Sequence, residues 1–298
     1  RWLPVPVVDK MAPVMTTRTS TIGWLRELRF LLRDSTAVIA LAVLLALCII
    51  ATAIGVTTIT AQQDDIARMI EADRADRETV QAPLGDFGAA AYYSFYVTYD
   101  APSPLAFAAI GQRDTAPYLK RIRLLALEGQ IYNGESPNPL LAQIGALDLS
   151  FIAAYVLTLI LSVLLYDLKA RERMAGRLTL LEGMPNARRR LWLPRIVLRA
   201  SLAFAAIALP FIAGALVFSA SATEISLALA GFAAITAFWA LLASLLALLP
   251  WPAATIGATA VGVWLLVNVF VPASVQNLII PTVDGPQGAD IALVQREA

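Results

Sequence analysis

Residues Asp167–Arg195 read "DLKARERMAGRLTLLEGMPNARRRLWLPR" and stand between two apolar blocks, Leu149–Tyr166 and Ile196–Ser219. Charged residues make up only 15% of the 298, yet eight of the 23 Lys and Arg fall in these 29 positions. A hydrocarbon core of about 30 Å is crossed by roughly 20 helical residues. Both flanking blocks meet that length, and so do Ala37–Ile59, Ile225–Leu249 and Ala254–Val271. With 58% hydrophobic residues and a mean hydropathy of +0.68, the chain reads as an all-α polytopic membrane protein with five transmembrane helices.

Positive charge near span ends stays on the cytoplasmic side of a membrane, so the quoted stretch also predicts orientation. Its eight basic residues face only Asp167, Glu172 and Glu182. Ahead of the first span, Arg18, Arg26, Arg29 and Arg33 outnumber Glu27 and Asp34. The segment 61–148 has the opposite balance, twelve acidic against seven basic residues, and is expected outside. The N-terminus is then inside and the C-terminus outside, in a bacterial inner membrane. The first span is not expected to be a signal peptide, because the run is too long and no short apolar region with a small-residue cleavage site stands at the N-terminus. Residues 1–15 are set aside as a leader or remnant without a structural role.

The stretch 16–60 combines the first span with "TIGWLRELRFLLRD". At helical spacing, Trp24, Leu25, Leu28, Leu31 and Leu32 share one face, while Arg26, Arg29 and Arg33 share the other. Such a helix is expected to lie flat on the membrane surface as an elbow. The segment 61–148 is too long for a tight loop and is expected to fold as a small mixed α/β domain. "QQDDIARMIEADRADRETV" continues the first span as a helix with Ile66, Met69 and Ile70 on one face. "GAAAYYSFYVTYD" from Gly88 has strand composition, and 118–127 reads equally as strand or short helix. Four further spans occupy 149–273 and a tail 274–298. Trp24, Trp192 and Trp251 fall where an aromatic belt is expected.

Within 167–195 a helix is predicted from Leu168 to Leu181, broken by Gly183 and Pro185 and restarting at Arg188. That is more structure than a positive flank needs. The order Glu172, Gly176, Arg177-Leu178, Leu180-Leu181, Pro185 and Arg188–Arg190 resembles the cytoplasmic loop of permease subunits of type-2, exporter-like ABC transporters. Arg177 stands where that family usually has Thr. The resemblance spans most of the chain, including an elbow helix and the subgroup's enlarged loop after the first span.

It implies a coupling helix that docks on a separate ATP-binding subunit through Glu172, Gly176, Arg177, Leu180, Leu181, Pro185 and Arg188. It also implies a second permease copy or paralogue as partner, and leaves room for a periplasmic one. ATP and Mg are expected on the ATPase, because the chain carries no phosphate-loop motif; no cofactor is expected in the chain itself. The family usually has six spans. Either the sixth is missing by truncation, or "NLIIP" at Asn277 begins an outer element whose returning helix is absent.

Other chemistries find little support. His is absent and Cys48 is the single cysteine, so a disulfide, a Cys/His zinc site and a Ser-His catalytic pair cannot be built. A net charge of +1 gives no reason to expect nucleic acid. Asp148, Asp167 and Glu224 sit at span ends, where helix capping outweighs a substrate path. The span interiors carry almost no charge, which argues against an ion-coupled transporter. Arg113, Asp114 and Arg121 are candidates for an extracytoplasmic recognition patch, against the plainer reading of a solvated face. The alternative to a permease is a membrane-anchored sensor or assembly factor whose 61–148 domain binds a partner.

Overall fold

The computed structural model describes residues 18–111, 118–123 and 147–279. Helix α1 (Arg18–Arg33) ends at Asp34, whose extended backbone and carboxylate cap the next helix by accepting from the Ala37 amide at 3.4 Å. That helix, α2 (Ser35–Gln81), runs 47 residues without a break. At 1.5 Å per residue it is about 70 Å long, roughly twice what a bilayer core demands. The apolar half is long enough to cross, and the polar half projects from the end of the bundle opposite the arginines, as the pattern after Gln62 predicts.

Five helices are long and apolar enough to span a membrane, in accord with a multi-pass protein. After α2 come α4 (149–165), α7 (Arg188–Val217), α8 (Ala222–Leu246) and α9 (Ala253–Ile279). Lipid offers no hydrogen bonds, so every backbone group in a span must be satisfied along its own helix. Side chains add to this economy: Thr57, Thr60, Ser244 and Thr259 each donate to the carbonyl four residues back. One wider π turn opens in each of α4 (Ile152–Val156), α7 (Arg188–Trp192) and α9 (Leu266–Phe270).

Helices α2, α4, α7 and α8 pack around a core of Leu44, Cys48, Ile59, Leu157, Leu161, Ile207, Phe211 and Trp239. Helix α9 leans on α4, where Trp264 Nε1 donates to the buried Thr158 hydroxyl at 2.8 Å. Capping accounts for two of the three acidic residues at the span ends, while Asp167 makes no capping bond and pairs with Arg171 instead. Asp148 caps α4 by accepting from Phe151 N at 2.7 Å, and Glu224 completes a capping box with Ser221 at the start of α8.

The connection after α2 holds two corrections to the sequence reading. Phe87–Tyr93 forms a helix, α3, because Asp86 caps it by accepting from Ala89 N at 3.2 Å; strand β1 is confined to Phe95–Tyr99. It pairs antiparallel with β2 (Leu119–Arg123), which settles the 118–127 ambiguity for those five residues. The hairpin is clamped to the projecting half of α2. Arg77 lies 5.1 Å from the Tyr96 ring centre, Arg121 reaches Asp76 at 3.0 Å, and the Tyr118 hydroxyl donates to Asp65 at 3.0 Å.

Between the strands, the chain dips back into the bundle as a short 3-10 turn, Ala106–Ala108. Phe107 is fully buried there, with its ring stacked on Phe211 and Phe218 at centroid distances of 5.8 and 5.9 Å. Ser150 Oγ donates to the Ala108 carbonyl at 3.1 Å and Gly111 N donates to Asp148 at 3.2 Å, fastening the turn to the start of α4. Two glycines make the room. A Cβ on Gly55 would stand 2.1 Å from the Phe107 carbonyl oxygen, and one on Gly214 would stand 2.4 Å from its ring.

Overpacking of this kind costs about 1–3 kcal/mol and removal of a buried Phe about 3–5 kcal/mol. Gly55→Ala and Phe107→Ala are therefore both expected to lower the thermal midpoint of the detergent-solubilised chain. Pairing them should cost less than the sum, because without its side chain the turn can back away from position 55.

Candidate functional site

A network of ion pairs lies at the end of the bundle where α1, α2, α4 and α7 meet the Arg-rich connection. Two short helices form that connection, α5 (Leu168–Met174) and α6 (Leu178–Glu182). The break between them lies earlier than the sequence predicts. Ala175 already leaves the helix, and Gly176 takes φ +67°, a left-handed conformation that favours glycine. The second break is set by Asn186, with φ +59°, one residue after Pro185; Gly183 keeps ordinary helical angles. The restart at Arg188 agrees with the prediction.

The knob so formed is tied at its root. Arg195, on α7, donates to Glu27 on α1 at 2.9 Å and to Glu172 on α5 at 3.2 Å. Glu172 also accepts from Arg177 at 3.1 Å. Its side chain is only 14% exposed and both carboxylate oxygens are engaged within the chain. A second chain of pairs runs beside the first. Arg171 bridges Asp167, one turn back on the same segment, and Asp34 at 3.0 Å, and Arg199 donates to the Leu164 carbonyl and lies 3.7 Å from Asp34.

Trp192 sits against this network, not in an aromatic belt. It is buried, with Lys169 and Arg195 at 5.5 and 5.4 Å from its ring centre. Leu31, Leu165, Leu168 and Leu191 pack around it as a small second core. Arg173 donates to the carbonyls of Leu249 and Trp251, joining the knob to the α8–α9 connection. Lys169 holds Glu182 at 2.7 Å across the α5–α6 turn.

The residues predicted to dock an ATPase thus divide into two groups. Glu172, Gly176, Arg177 and Leu181 build the root: two are paired, one turns the chain, and Leu181 packs on the second core. Leu180, Pro185 and Arg188 face outward at the tip, with Leu180 75% exposed and Met174 and Met184 exposed beside it. Arg188, Arg189 and Arg190 are exposed and make no ion pair among the described residues. Of the predicted recognition patch, Arg121 is engaged by Asp76 and stacks 4.9 Å from the Phe95 ring centre. Arg113 and Asp114 lie outside the described residues, as do residues 1–15 and the tail beyond Ile279.

Sequence reasoning missed Glu27, Asp34, Arg195 and Arg199 as members of the network. A signal existed for two of them. Glu27 interrupts the arginines of α1 from the edge of its apolar face, and Arg199 falls inside the block read as the third span. What periodicity could not supply was the partner, which lies 168 residues away for Glu27. Among the described residues no group of three or more acidic or Cys side chains converges.

Removing one member of a buried ion pair costs about 3–5 kcal/mol, because the other charge is left desolvated. Arg195→Met removes a partner from both Glu27 and Glu172, leaving them Arg26 and Arg177, and is expected to lower the thermal midpoint more than Glu27→Gln. The double variant should be less than additive, since the two side chains share one interaction. No protein-family model, no curated protein and no solved structure matches the chain.

Proposed function

We propose that the chain is the membrane-spanning permease subunit of an ABC transporter of the exporter-like type, driven by a separate ATPase subunit through the α5–α6 knob. The observation that carries this reading is the division of labour within the knob. A connection that only fixed orientation would need its arginines and nothing more. This one folds into two helices with a left-handed turn, fastens its root to α1 and α7 through Arg195, and leaves Met174, Leu180 and Met184 in the open. A rigid root with an apolar tip is what a lever needs: a partner can grip the tip, and a displacement passes to the spans as rigid-body motion.

In this reading the knob and the N-terminus are cytoplasmic, the hairpin domain is extracytoplasmic, and α1 is the elbow helix. A second permease copy or paralogue faces the first across the substrate path in a bacterial inner membrane. Nucleotide and Mg bind the ATPase. Glu172 and Arg177 then transmit force, and Leu180 and the Arg188–Arg190 cluster make the contact.

The two roles predict different failures. Leu180→Asp should leave the thermal midpoint unchanged while abolishing copurification of the ATPase. Glu172→Gln should retain the ATPase and lose transport-linked stimulation of hydrolysis. Copurification of no stoichiometric ATPase from native membranes would sink the permease reading and favour a membrane-anchored sensor or assembly factor acting through its hairpin domain.

A further inference from the structure

A cleft of about 700 Å³ opens between α1, the start of α2, the knob and α7. We infer that it is a binding site for the phosphate headgroup of an anionic glycerophospholipid. Its size lies within the usual range of small-molecule sites, about 300–1,000 Å³. The lining carries five arginines, Arg33, Arg171, Arg177, Arg195 and Arg199, against four carboxylates, Glu27, Asp34, Asp167 and Glu172. The formal balance is 5 − 4 = +1.

The donor balance is more lopsided than the charge. Five guanidiniums offer about twenty-five N–H donors, and four carboxylates about sixteen acceptor sites. Arg33 makes no ion pair among the described residues, and Arg199, 15% exposed, holds only a backbone carbonyl and a carboxylate at 3.7 Å. An occupant rich in acceptor oxygens answers this surplus, and phosphate is matched in geometry by the guanidinium fork. A cation would meet the wrong sign. A zwitterionic headgroup would place its ammonium among arginines.

Depth selects a lipid over a soluble ester. Asp34 caps the helix whose apolar run begins at Ala37, and Asp167 directly follows the apolar run of α4. Arg171 ties these two carboxylates together, so both helix ends lie at one level. That level is the boundary between hydrocarbon and water, where lipid phosphates reside. Phe30, Leu31 and Leu198 add an apolar side to the cleft, suited to the glycerol and the first acyl carbons. The inference needs a membrane-spanning chain and stands whether or not an ATPase docks on the knob.

The test uses the full chain purified in detergent, with phosphatidylglycerol, phosphatidylcholine and inorganic phosphate as probes. Retained lipid is counted by native mass spectrometry. Phosphatidylglycerol should be held about ten times more tightly than phosphatidylcholine, and Arg33→Gln and Arg199→Gln should each weaken it about tenfold, the loss of one charge-assisted contact. Arg189→Gln, at the exposed start of α7, should leave lipid retention unchanged. Arg33 is exposed and holds no carboxylate, so its variant decides the matter even where Arg199→Gln fails to fold. Displacement of bound phosphatidylglycerol by millimolar inorganic phosphate alone would make a soluble phosphate the occupant and overturn the lipid assignment. Equal retention of the two lipids, or equal loss in Arg33→Gln and Arg189→Gln, would overturn the site.

Discussion

Arg195 is held by two carboxylates from different elements, Glu27 on α1 and Glu172 on α5, where the apolar bundle gives way to the charged connection. The side chains of all three are mostly withdrawn from solvent. In that setting a lone charge costs several kcal/mol, so each member fixes the others in place. Helix α1 has few other ways to choose its seat. Its inward side carries Glu27 and Leu31, and the second core that receives Leu31 also receives Leu168 and Leu191 beside Arg195. The ion pairs supply the register and the leucines supply the area.

The same constraint explains why the knob has a rigid root and a loose-sided tip. Every carboxylate of α5 and α6 is spent internally: Glu172 on Arg177 and Arg195, Glu182 on Lys169. The tip is left with exposed apolar side chains and with arginines that make no ion pair among the described residues. At the other end of the bundle, ion pairs such as Arg77–Asp73 and Arg121–Asp76 lie along the projecting half of α2. Where the chain re-enters the bundle, order comes from shape, with Phe107 wedged against Gly55 and Gly214 and its ring stacked on Phe211 and Phe218. One end is therefore held by paired charge and the other by close packing beside pairs along the projecting half of α2, and the two are joined by spans whose interiors are almost entirely apolar.

Much of this was legible in the residues. Apolar runs of about 20 residues gave the spans, because in lipid only a helix satisfies its own backbone. The polar continuation of α2, the restart at Arg188 and the capping roles of Asp148 and Glu224 followed from local spacing. Errors arose where a local preference met a nearby cap or turn. "GAAAYY" has strand composition but starts after Asp86, which caps a helix. The helix predicted from Leu168 to Leu181 stops at Met174, because Gly176 takes a left-handed conformation and turns the chain back. Trp192 has the position of a belt residue and the burial of a core one.

The sequence alone determined what each segment is: apolar or charged, spanning or connecting, with arginine massed beside two of the spans. Only the tertiary structure decided what those arginines are for. Whether Glu172 faces a partner or Arg195, whether Arg121 is open or clamped by Asp76, and whether Arg33 and Arg199 line a cleft depend on neighbours far away in the chain. Hydrophobic length is a property of consecutive residues and can be read along a line. Charge pairing is a property of distances in space, and it becomes visible only when the helices have packed.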